Sequence, residues 1–130
     1  MRVVGKACGA DALAWLGVAT ELPAAVLLDL RMPGMDGFAV AAEIRHRPSS
    51  ADIPVMVLAS GAMRGDATRC RELRLNGYFP KPVAAAELRA ALESVVAPRR
   101  SASPPAAPVP ANRLREWPRY LRVLLVEDNE

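Results

Sequence analysis

The stretch AVLLDLRMPGMDG, residues 25–37, opens with four apolar residues, Ala25 to Leu28, that run directly into Asp29. The run has no polar alternation, as expected of a parallel strand covered on both faces. Behind the acid come Pro33, Gly34, Asp36 and Gly37, residues that favour turns. Apolar residues then return at helical spacing, with Phe38, Ala41 and Ala42 ahead of Arg45, and Asp36 stands where a helix N-cap belongs. Strand, turn and helix in that order deliver a carboxylate to the C-terminal rim of a sheet, the edge where open parallel sheets bind ligands.

Working outward, Ile53 to Leu58 forms a second apolar run, Tyr78-Phe79 a shorter one and Val3-Val4 another near the start. Val123 to Val126 is a further strand and leads into Glu127 and Asp128, an echo of the way residues 27–29 present their acid. Helical patterns fall between them: Ala10 to Leu16, Phe38 to Arg45, and a polar Asp66 to Leu75 with Asn76-Gly77 as a left-handed stop. The last, Ala84 to Val96, carries Leu88, Leu92 and Val95 on one face. Alternating strands and helices predict an α/β fold, a doubly wound parallel sheet in three layers, α/β/α. At Pro98 the composition changes, with six prolines through Pro118. The expected organisation is a domain over 1–97, a Pro/Ala/Arg-rich linker over 98–120, and a strand within 121–130.

A chain of 130 residues, 52% hydrophobic and 24% charged, has the composition of one soluble globular domain with a tail. No apolar run approaches the ~18 residues of a membrane span. Arg2 is followed by only a short, Gly-interrupted apolar stretch, so no secretory signal is evident and the cytoplasm is the expected location. Cys8 and Cys70 have neither metal-ligand nor disulfide-framework spacing. The net charge of +3 comes from scattered arginines with no nucleic-acid recognition module, so neither nucleic acid nor membrane is an expected partner.

A strand-end carboxylate such as Asp29 should stand exposed enough to act as a nucleophile, and attack on a phosphoryl group gives an acyl phosphate. That chemistry calls for Mg²⁺ and hard oxygen ligands, which the acidic pair Glu127-Asp128 offers. Lys81, just past Tyr78-Phe79, brings an ammonium to the same rim. A haloacid-dehalogenase-type phosphohydrolase also uses a strand-end Asp but needs a second Asp two residues on, where this chain has Arg31.

The loop from Leu27 to Phe38 resembles the phosphorylation loop of the response-regulator receiver family, CheY-like in fold. Tyr78-Phe79-Pro80-Lys81-Pro82 resembles its Lys-Pro signature, and Leu125 to Asn129 its acidic first strand. The resemblance implies a flavodoxin-like sheet of order 2-1-3-4-5 if the last strand fills the central gap. It also implies phosphorelay signalling, in which Asp29 accepts a phosphoryl group from a histidine kinase or histidine phosphotransfer domain. Lys81 then contacts the phosphate, with a cis bond to Pro82. Mg²⁺ is implied at Asp29, directly at Asp128, through water at Glu127, and at the Arg31 backbone carbonyl. The partner surface is implied on helix 84–96 with the rim loops. Tyr78 falls where the family keeps an aromatic switch, and equally reads as a packed edge aromatic.

The chain departs from the family in two places. Ala59 occupies the position of a Thr or Ser whose hydroxyl bonds the phosphoryl oxygen, and strand alternation turns the adjacent Ser60 to the opposite face. Weakened coupling between phosphorylation and residues 60–66 is therefore expected, and a phosphorylation-inactive pseudo-receiver is the alternative function. The second departure is order: the acidic strand comes last and the first helix is missing, so the domain is incomplete or permuted. Either this is a piece of a tandem-receiver protein, such as a hybrid histidine kinase, with 121–130 opening the next receiver, or that strand is a permuted central strand of the same sheet. An unfilled gap would leave strand edges open to a strand-swapped or receiver dimer.

Overall fold

A computed structural model describes residues 2–32, 34–96 and 122–127. The elements run β1 (Arg2–Lys6), α1 (Gly9–Val18), β2 (Ala25–Asp29), α2 (Gly37–His46) and β3 (Val55–Ala59). They continue through α3 (Asp66–Glu72), β4 (Gly77–Pro80), α4 (Ala85–Val96) and β5 (Arg122–Val126). The strands form one parallel sheet in the order β1-β5-β2-β3-β4. This is the expected flavodoxin-like order with the last strand in the central gap, and no helix is described in the place of the missing first one.

Every residue of β2 and β3 is buried, which explains why neither strand alternates in polarity. The pleat sends Val26, Leu28, Val55, Val57, Leu124 and Val126 to one face, where they pack with Ala12, Leu16, Val40 and Ile44 of α1 and α2. The other face takes Ala25, Leu27, Met56 and Val123 against Leu92 of α4. That side has a single described helix and the smaller core. At the edge, β1 leaves Arg2, Val3 and Gly5 exposed.

Asp36 caps α2 as expected, its Oδ1 accepting from the Ala39 N–H at 2.7 Å. The stop after α3 differs from the expectation. The helix ends at Glu72, and the left-handed residue is Arg74, with φ 52°. Asn76 instead ties the chain to β3. Its N–H donates to the Val55 carbonyl at 2.7 Å, and its Oδ1 accepts from the Val55 N–H at 3.0 Å. Gly77 already belongs to β4, where a methyl group would sit 2.6 Å from the Phe79 ring.

Arg45, at the C-terminal end of α2, secures this corner. Its Nε donates to the Leu73 carbonyl at 2.9 Å and its Nη2 to Arg74 at 3.1 Å. Its Nη1 reaches the carbonyls of Ala51 and Ile53, at 2.9 and 2.7 Å. Burial, and then the neighbouring Arg74 charge, lower the Arg45 pKa, while Asp52 opposes them. No described helix is long and apolar enough to cross a membrane.

Candidate functional site

Because β2, β3 and β4 are parallel neighbours, their C-terminal ends bring Asp29, Ala59 and Lys81 to one rim. Lys81 Nζ lies 2.7 Å from Asp29 Oδ2, and the Arg31 N–H donates to Asp29 Oδ1 at 3.0 Å. Both carboxylate oxygens are thus occupied, and the Asp29 side chain is only 6% exposed against 36% for Lys81. Asp29 is therefore more buried than expected. The sequence places the Lys81 ammonium at this rim but does not show its direct contact with the acid, and that pairing is what lets a carboxylate be withdrawn from water.

Gly37 fixes the loop behind the acid. Its N–H donates to the Leu30 carbonyl at 3.2 Å, and a methyl group at 37 would sit 2.6 Å from the backbone oxygen of Asp29. Pro33 lies outside the described residues. The Lys81-Pro82 bond is cis.

Ala59 is 1% exposed, and its carbonyl accepts the Lys81 N–H at 2.7 Å. A depression of about 120 Å³ opens beside it, lined among others by Leu30, Arg31, Phe38, Ala59, Ser60 and Arg69. Ser60, just past the end of β3, is exposed and also borders this depression. The Arg69 guanidinium lies 5.0 Å from the Phe38 ring centroid.

Tyr78 is tied to the segment that follows β3. Its hydroxyl donates to Asp66 Oδ2 at 2.9 Å and lies 3.3 Å from the Gly61 carbonyl. The same Asp66 oxygen accepts the Met63 N–H at 2.9 Å. Burial, and then the Asp66 hydrogen bond, raise the Tyr78 pKa. Burial and Asp66 likewise raise that of Cys70. Sequence reasoning overlooked Asp66. An acid just behind Gly65 at a helix start was the available signal.

For a metal, the pairing of Leu28 with Val126 places Glu127 beside Asp29, one step past each strand partner. Asp128 lies outside the described residues, and among those described no three His, Cys, Asp or Glu side chains converge. The Asp29 and Glu127 carboxylates and the Arg31 carbonyl are hard oxygen donors, of the kind that suits Mg²⁺.

The sequence matches the family described as the response regulator receiver domain over residues 1–93. The chain belongs to that family. Among similar proteins, the response regulator PleD of Caulobacter vibrioides is 37% identical over 65 residues, covering 50% of this chain and 14% of PleD. The hybrid signal transduction histidine kinase L of Dictyostelium discoideum is 34% identical over 85 residues, covering 62% of this chain and 5% of that protein. This receiver chain therefore spans only a small part of either relative. Among solved structures, the receiver domain of a Pseudomonas aeruginosa PAO1 sensor histidine kinase superposes with TM-score 0.63 at 30% identity. It covers 73% of this chain and 76% of that one, and holds a magnesium ion in its active-site cleft. The receiver fold and a place in two-component signalling are thus shared with these proteins.

Proposed function

We propose that Asp29 is the phosphoacceptor of this receiver, taking its phosphoryl group from a phosphohistidine on a histidine kinase or a histidine phosphotransfer domain. The observation that carries the reading is the Lys81 ammonium on Asp29 Oδ2 at 2.7 Å, at the rim of the sheet. A carboxylate oxygen attacks phosphorus, the O–P bond forms as the N–P bond of the donor breaks, and the departing imidazole takes up a proton. As the carboxylate charge passes to the phosphoryl group, Lys81 moves its hydrogen bond to a phosphoryl oxygen, and the Arg31 N–H remains a donor on the same side. Mg²⁺, when bound, supplies charge neutralisation at the phosphoryl oxygens. Asp29, Glu127 and the Arg31 carbonyl would hold it together with Asp128.

Phosphohistidine is made from ATP, which favours a cytoplasmic setting. Residues 1–97 would act as the receiver body, 98–120 as a spacer, and 121–130 as the source of the central strand. A parent of hybrid-kinase type, with receivers in tandem, suits that arrangement. With Ala59 in the switch position, phosphorylation would move residues 60–66 only weakly, while Tyr78 and Asp66 keep that segment tied to β4.

Incubation with phosphoramidate and Mg²⁺ tests the assignment. The expected product is a hydroxylamine-labile adduct on the chain that disappears in Asp29→Ala. A folded parent chain without adduct would point instead to an inert interaction module.

A further inference from the structure

The strand that completes the sheet is held by contacts alone. β5 pairs with β1 from Arg2↔Arg122 to Lys6↔Val126, and with β2 from Ala25↔Val123 to Leu28↔Val126. Val123, Leu124 and Val126 are 1%, 0% and 0% exposed. At one end the Ala24 N–H donates to the Arg122 carbonyl at 2.7 Å, and Arg122 pairs with Glu21 at 3.3 Å. At the other end the Glu127 N–H meets the Lys6 carbonyl at 3.2 Å. All these partners belong to residues 2–96. Only the sequence 97–121, which contains six prolines, joins the strand to the body that receives it.

We propose that the slot between β1 and β2 is a strand-binding site that also accepts residues 122–127 of a second copy of this chain, so that two chains complete each other's phosphoacceptor rims. The proposal rests on the reading of Asp29 as phosphoacceptor, because what the strand brings to that rim is Glu127, set beside Asp29 by the Leu28↔Val126 pairing.

Three considerations carry it. The strand's contacts are the same whichever chain supplies it, so exchange gives up none of them. The 25 residues of 97–121 could reach at most ~80 Å at full extension, several times the ~19 Å width of five strands at sheet spacing, so chain length does not confine the strand to its own slot. An empty slot exposes two unpaired strand edges flanked by apolar residues, and such edges recruit strands from other chains. Reciprocal insertion closes with twofold symmetry and leaves no slot vacant.

Complementation between full-length variants tests the exchange. Asp29→Ala cannot be labelled but keeps its strand, and Leu124→Asp keeps the acceptor but cannot insert its own strand. Each alone should give near-background labelling by phosphoramidate and Mg²⁺. Mixed, the Leu124→Asp chain should gain label several-fold. Absence of that gain in a mixture whose Leu124→Asp chain remains folded overturns the proposal. Should Leu124→Asp not fold, the unsubstituted chain in light and ¹⁵N-labelled forms provides the second measurement. After equilibration across micromolar to millimolar concentration, a species of mixed isotope and twice the chain mass should appear, with interchain contacts between β1 and β5. Light and heavy monomers only, or a dimer joined through any other surface, would overturn it. If the unsubstituted chain takes no label, the phosphoacceptor reading fails, while strand exchange is still decided by the isotope experiment.

Discussion

The two halves of the rim are made in different ways. On the β2-β3-β4 side, Asp29, Ala59 and Lys81 come from consecutive strands and are joined directly, by Lys81 Nζ to Asp29 at 2.7 Å and Lys81 N to the Ala59 carbonyl at 2.7 Å. On the β1-β5 side, neighbouring strands come from far apart in the sequence, and the Glu127 N–H donates to the Lys6 carbonyl at 3.2 Å. The Asp29 half is therefore built from strands that follow one another in the chain, whereas Glu127 opposite depends on a strand that must arrive from the far side of residues 97–121.

The largest disturbance is expected in that second half. Leu124→Asp places an unpaired carboxylate at a fully buried position, and more than about 4 kcal/mol should be lost in denaturant unfolding. Hydrogen exchange should show the loss concentrated in β1 and β5. Equal loss of protection in β3 and β4 would break the contrast between the halves. On the first side, Arg45→Lys keeps the charge but cannot reproduce a guanidinium reaching the carbonyls of Ala51, Ile53, Leu73 and Arg74. A loss of about 2 kcal/mol is expected by the same measurement, and an unchanged midpoint would show that this corner does not brace β4.

How much of this was legible follows from particular residues. The core of β2, the turn and the Asp36 cap could be read because their determinants are local: an apolar run, turn formers, and an oxygen three residues from the N–H it accepts. The apolar run Ile53–Leu58 starts two residues before β3 and stops one short of its end at Ala59, since Ile53 is buried although it precedes the strand and closes a turn onto the Ser50 carbonyl. The Arg45 clamp was invisible, because the Leu73 carbonyl it binds lies 28 positions away. In the site, the rim positions of Asp29 and Lys81 were legible from strand ends. Their ion pair, the withdrawal of Asp29 from water and the bond from Tyr78 to Asp66 all depend on where separate strands come to rest.

Two smaller effects bear on the first half. Ala59→Thr supplies a hydroxyl worth roughly one hydrogen bond, ~1 kcal/mol, enough for an about fivefold shift in a two-state equilibrium. Beryllofluoride with Mg²⁺ should then move the amide resonances of residues 60–66 further than in the parent; identical shifts would remove residue 59 from the coupling. Tyr78→Phe is expected to have the smallest effect, within about 1 kcal/mol at neutral pH. The Tyr78 pKa is raised in the folded chain, first by burial and then by Asp66. Its stabilising contribution is thus present below the ordinary tyrosine value of about 10 and lost as pH climbs through the folded value. Unfolding curves of parent and Tyr78→Phe should converge above about pH 10, and a constant gap would show that Asp66 and Tyr78 are not linked.

The contact between Lys81 and Asp29 leaves the lysine the more exposed of the pair, at 36% against 6% for the acid. On the proposed reading of Asp29 as phosphoacceptor, a phosphorylated guest would take over the lysine's hydrogen bond and free the acid as it settled. An uncharged molecule would offer nothing in exchange and leave the latch shut. Sorting by charge would then come at the threshold, before any bond is made or broken.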